Sequence, residues 1–178
     1  MDRKRKAFAL FILTTIAGCS QYSPDPRTHP SGLPRTTDSA TFPIRERIKA
    51  MRGPDVTVAQ CLAAIDSIDG IAVTKTPYSA NEYIRVMGWA IAPGSPRTPE
   101  PIRAALLPYK ASNVGIFVKG ERMHRPDVAG GDVSLINAGY DLRGHMPAHA
   151  GYYRIVLVMG TGKSALACDT GTVVTVHE

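Results

Sequence analysis

The 178-residue chain lacks most of what a catalytic or nucleotide-binding protein displays in its sequence. Its N-terminal apolar stretch, Ala7 to Ile16, is ten residues long, half of the roughly 20 that a membrane-spanning helix needs. His124, His145, His149 and His177 fall at no metal-ligand spacing, and His145 and His149 straddle Pro147 in an expected loop. No metal site is expected. Gly160-Thr161-Gly162-Lys163-Ser164 imitates the end of a phosphate-binding loop, but Leu157 stands where the motif needs its first glycine. No long helix follows to hold a phosphate at its N-terminus, so the segment reads as a hairpin turn and no nucleotide is expected. Ser134, Asp141 and His145 have neither a nucleophile elbow nor oxyanion glycines around them. Paired carboxylates in an acid/base setting are missing too. These gaps argue against an enzyme.

Charge is equally uninformative once it is located. The net charge is +6, and half of it lies in the first eighteen residues, where Arg3, Lys4, Arg5 and Lys6 face only Asp2. The other basic residues are scattered rather than clustered with aromatics, which speaks against nucleic acid as a partner. Sixteen glycines and fourteen prolines point to many turns. One tryptophan, four phenylalanines and seven tyrosines suffice for a modest core.

The N-terminus is organised as an address. A basic segment precedes the ten-residue apolar stretch, and the small residues Ala17 and Gly18 then lead to Cys19. That is the pattern of a secretory signal over residues 1–18. Thr15-Ile16-Ala17-Gly18-Cys19 resembles the lipobox of bacterial lipoproteins. The resemblance implies cleavage before Cys19 and covalent diacylglycerol and N-acyl chains on that residue, with no other cofactor. Several acyl chains give lasting attachment where one would be marginal. The alternative is an ordinary secretory signal, with Cys19 lost or left as a thiol. Ser20, in place of the aspartate that retains such lipoproteins in the inner membrane, implies the outer membrane of the cell envelope.

Residues 19–54 are rich in proline and poor in apolar residues, a composition that resists compaction and favours an extended, disordered tether. Within it Ile44 and Ile48 allow a short helix over 42–51. The ordered domain is expected over 55–178. Cys61, Leu62 and Ile65 share one stripe and predict a short N-terminal helix over 58–68. Strands are predicted over 71–76, 82–92, 102–109, 114–119, 152–159 and 172–176, separated by turns rich in glycine, proline and asparagine. The fold class is therefore mainly β, an antiparallel β-sandwich.

Gly88-Trp89-Ala90, Arg125-Pro126-Asp127-Val128, Gly139-Tyr140 and Gly151-Tyr152-Tyr153 follow one another in order. The series resembles a bacterial Ig-like β-sandwich module found in envelope proteins and in proteins that make or modify surface glycans. Ala92 departs from that pattern, which has an aspartate there. Trp89 is expected in the sandwich centre, with Gly88 permitting a close approach of the neighbouring sheet. Asp127 is expected to cap a following helical turn. A sugar-binding role for Trp89, Arg125, Asp127 and Tyr140 is the alternative. Tyr78, Tyr83, Tyr109 and Tyr140, if exposed together, would favour a glycan ligand.

Cys61 and Cys168 remain once Cys19 is acylated, and an even remainder in an oxidising compartment suggests a disulfide, with two buried thiols as the alternative. The expected protein is an envelope-anchored, non-catalytic binding module, held to the membrane by its lipid. Its partner would be an envelope protein or a surface glycan. A structural accessory subunit of an envelope assembly, or a glycan-acting hydrolase, would be the other readings.

Overall fold

The computed structural model describes residues 42–73, 77–92, 94 and 98–178. The signal segment, Cys19 and the tether up to residue 41 lie outside them. Among the described residues no helix is long and apolar enough to cross a membrane.

The chain is mainly β, a sandwich-like arrangement made from one open, curled sheet. Its strands are β1 (Val56–Ala59), β2 (Leu62–Ile68), β3 (Tyr78–Ser79), β4 (Tyr83–Ile91), β5 (Ile102–Pro108), β6 (Ile116–Met123), β7 (Gly139–His145), β8 (Gly151–Met159) and β9 (Ala165–His177). Their order across the sheet is β1-β9-β8-β5-β6-β7-β4-β2, and β3 also pairs with β9. Pairing is antiparallel except at β9, whose outer edge takes β1 and β3 in parallel. The sheet curls until β2, at one end of the order, contacts β9 near the other.

The period of 2 predicted for the strands has a direct physical result. Ile84, Val86 and Ala90 of β4 turn inward with Leu106, Val118, Leu142, Ile155 and Leu157 to form the main core. The opposite face of β5, β8 and β9 is apolar as well, because a helix covers it. That helix, α1 (Ile44–Ala50), seats Ile44 and Ile48 against Ala105, Leu107, Val156, Val158 and Ala167. The short helix expected in the tether is thus part of the folded unit, and the ordered domain begins upstream of residue 55. Two large apolar side chains on successive turns are enough to dock one face of a seven-residue helix that would not persist alone.

Three expectations are corrected. Residues 58–68 form β1 and β2 rather than a helix, because pairing with β9 and β4 outweighs a weak helical stripe. Leu62, the centre of that stripe, is 69% exposed. The strand expected over 71–76 reduces to a bridge between Ile71 and Ile68, with residues 74–76 outside the described part. Residues 139–145, not predicted as a strand, form β7 between β6 and β4. The alternation of Tyr140 and Leu142 with Asp141 and Arg143 was the available signal. The hairpin turn at 160–164 is as expected, with Ser164 Oγ donating to the Thr161 carbonyl at 2.9 Å.

Gly88 allows one close approach. A Cβ there would run into the Ala64 carbonyl oxygen of β2 and the Tyr140 hydroxyl. Gly88→Ala is expected to lower unfolding free energy by about 3 kcal/mol through overpacking, measured by urea unfolding. A loss below about 0.5 kcal/mol, the level of an ordinary surface change, would show that β2 and β4 can separate freely.

Candidate functional site

Helix α1 covers the outer face over β5, β8 and β9, whereas the outer face of β4, β7 and β6 carries mostly polar and charged side chains. Strand register sorts them into rows. Tyr83 pairs with His145, and their rings meet edge to face at 5.2 Å. In the next row Arg85 pairs with Arg143, Arg143 with Lys119, and Lys119 with Arg103. The third row holds Met87, Asp141 and Glu121, and the fourth Trp89, Gly139 and Met123. Four cations from four neighbouring strands therefore stand side by side.

Their partners are unevenly supplied. Asp141 accepts from Arg85 Nε and Nη2 at 2.8 and 2.7 Å and from Arg143 Nη2 at 3.0 Å. Those bonds, Arg85's first, hold the Asp141 carboxyl well below the usual carboxylate range. The same carboxylate raises both guanidinium groups. One acid thus serves two arginines. Lys119 and Arg103 have no carboxylate within salt-bridge distance among the described residues. Arg103 lies 5.7 Å over the Phe117 ring and donates to the Gly160 carbonyl at 3.5 Å.

The ordered motifs converge at the other end of this face. Gly88 pairs with Tyr140 and Trp89 with Gly139. The Arg125 stem lies over Gly139, so close that a Cβ there would touch it. Trp89 is half-buried on the outer face, not in the sandwich centre, because the inward positions of β4 are Ile84, Val86, Gly88 and Ala90. Tyr140 takes the inward place. It is fully enclosed, its hydroxyl donates to the Ala64 carbonyl at 2.9 Å, and burial raises its pKa. Asp127 does not cap the short helix α2 (Pro126–Ala129), which has no side-chain cap. Its carboxylate instead takes Nε and Nη2 of Arg125, at 2.9 and 2.8 Å, while Asp66 takes Nη1. The two acids raise the Arg125 pKa, Asp127 more than Asp66. Arg125 thus ties the 124–130 loop to the β2 edge. Of the four tyrosines expected as a patch, only Tyr83 stands well out, at 59% exposure. Tyr78 and Tyr140 are buried, and Tyr109 is partly covered by Phe42.

Other polar groups are structural. Arg122 points inward at the end of the core and donates to the carbonyls of Ala90, Ala138 and Pro99 at 3.0–3.2 Å. Burial pushes its pKa down to about 10, which leaves it charged at neutral pH. Ser134 Oγ bonds Asp132 and His145 Nδ1 faces the Asn81 carbonyl, so neither engages Asp141. Among the described residues no group of three His, Cys, Asp or Glu is placed to hold a metal.

Cys61 and Cys168 lie at disulfide distance, Cα atoms 5.5 Å apart, where β2 meets β9. Beside them an open groove of about 810 Å³ runs along the seam, lined by Val58, Gln60, Leu62, Ile91 and Gly171 among others. Comparison of the chain with protein-family models, curated proteins and solved structures finds no match.

Proposed function

We propose that this protein is an envelope lipoprotein anchored through Cys19, whose β domain is a non-catalytic binding module for a surface glycan or an envelope protein. One observation supports the binding role above the others. The outer face of β4, β6 and β7 is left uncovered by α1 and carries Tyr83, Trp89 and a row of cations in fixed register. A rigid sheet holds such groups at constant spacing, which is what a binding surface needs. The anchor reading rests on the sequence before Cys19, and the acyl chains are the only non-protein groups it requires. Arg125 is engaged by Asp127 and Asp66, and Tyr140 is buried, so the aromatic beside the cation row that can meet a ligand is Tyr83.

The full-length protein, expressed in a bacterial host and labelled with radioactive palmitate, tests the anchor. Cys19→Ala is expected to abolish the label and to move the protein from membranes to the soluble fraction. Unchanged labelling would overturn the reading.

A further inference from the structure

We propose that the row Arg85–Arg143–Lys119–Arg103 binds an acidic polysaccharide whose charges are uronic-acid carboxylates, laid across the strands. The inference deepens the binding-module reading and rests on it.

Charge complementarity is the first argument. Four cations share one face and, within their own row, meet no acid. Asp141, from the neighbouring row, is already divided between Arg85 and Arg143, and Lys119 and Arg103 have no carboxylate partner among the described residues. An added carboxylate at Lys119 would therefore displace no existing ion pair.

Geometry is the second argument. Adjacent strands lie about 4.8 Å apart, so the row presents a cation at about that interval across four strands. In an extended chain of six-membered sugar rings, each bearing one carboxylate, successive rings turn over, so the carboxylates of one face recur about every second ring, close to the spacing of every second strand in the row. An extended acidic peptide sends successive side chains of one face out at about 6.6–6.8 Å and falls out of step within two residues. Backbone-fixed register makes this mismatch matter, although the long side chains soften it.

The flanks of the row are the third argument. On one side Asp141 and Glu121 repel an anionic chain that drifts toward Trp89. On the other, two residues along β4, stands Tyr83, 59% exposed and held edge to face against His145. A sugar ring can stack on it while its carboxylate reaches Arg85 or Arg143. The α1 cluster closes the far end, where Arg103 pairs with Val158. The face is thus a bounded strip rather than a diffuse positive surface.

The test is binding of the full-length protein, in detergent micelles, to immobilised polygalacturonate, with dextran, poly-glutamate and single-stranded DNA as alternatives. Saturable binding to polygalacturonate is expected. It should weaken with salt, because screening shortens to about 10 Å at 0.1 M. Lys119→Glu is expected to weaken it about tenfold, and Lys119→Ala about threefold, as graded losses of one charge contact. Tyr83→Ala should weaken it several-fold without changing the salt slope. Lys119 has no ion-pair partner among the described residues, so unaltered thermal unfolding checks that the variants are folded. Binding that ignores Lys119→Glu, or tighter binding to poly-glutamate or DNA, would overturn the proposal. Absence of polygalacturonate binding would also overturn it. With palmitate labelling intact, that result leaves the anchored-module reading standing, whereas loss of labelling would remove the anchor and not this strip.

Discussion

Breaking the link between Cys61 and Cys168 is expected to lower the unfolding free energy by about 4–5 kcal/mol. The two residues are 107 apart in sequence, and chain-entropy models assign about that much to closing a loop of this length. Position adds a second reason. The sheet is open between β2 and β9, and this is where the two cysteines meet. Without the link, the contact between these two ends of the curl rests on side-chain packing, and β2 becomes an edge held on one side only, by β4. Edge strands of that kind fray and recruit other chains. Urea unfolding with and without dithiothreitol, and of a Cys61→Ala/Cys168→Ala double variant, measures the effect. Equal stability of oxidised and reduced protein would show two thiols that lie close without bonding. Labelling of denatured, unreduced protein at Cys61 and Cys168 would show the same.

Asp169→Ala is expected to cost about 3–5 kcal/mol, the usual result of removing one member of a buried pair. Arg154 is fully buried on the outer face of β8, below Phe42, whose ring lies 5.6 Å from its guanidinium carbon. Asp169 meets it with two bonds of 2.8 Å, from Nε to Oδ1 and from Nη2 to Oδ2. The Tyr109 hydroxyl accepts from Nη1 at 3.1 Å. Asp169 Oδ1 also accepts from the Gly171 amide at 2.9 Å, so the carboxylate shapes the β9 backbone as well. Taking it away leaves a buried guanidinium without this counter-charge. Adding Arg154→Met to Asp169→Ala is expected to recover most of the loss, since apolar replacement of a buried pair is often neutral or better. The double-variant cycle by thermal unfolding reads this coupling. A single-variant loss below about 1 kcal/mol, the range of an exposed pair, would show that water reaches Arg154.

Much of the fold was legible because it is written locally. Strands β4, β5 and β8 alternate or run apolar over seven to nine residues, and the turns at Asp69-Gly70 and Gly160–Ser164 carry glycines at positive φ. Ile44 and Ile48, four apart, marked α1 even inside a proline-rich stretch. The pairing of Cys61 with Cys168 followed from parity once Cys19 was set aside. None of this required knowing which strand lies beside which.

What failed was each reading that depended on a neighbour distant in sequence. The stripe over 58–68 has helical spacing, and only pairing with β9 and β4 turns it into strands. Trp89 looked like a core residue by size, yet the phase of β4 puts Gly88 inward and gives the central space to the ring of Tyr140. Nothing local to Arg154 marks it as buried; Phe42, more than a hundred residues earlier, covers its guanidinium. The basic row is the clearest case. Arg85, Arg103, Lys119 and Arg143 are separated by 16 to 24 residues and look scattered in the sequence. Strand order and register, which are set by long-range backbone pairing and by which face must be buried, bring them into one line. By itself the sequence determined the β class, the turns and the cysteine pair. The tertiary structure decided which side chains share a face, because sheet register joins residues whose mutual distance no local pattern encodes.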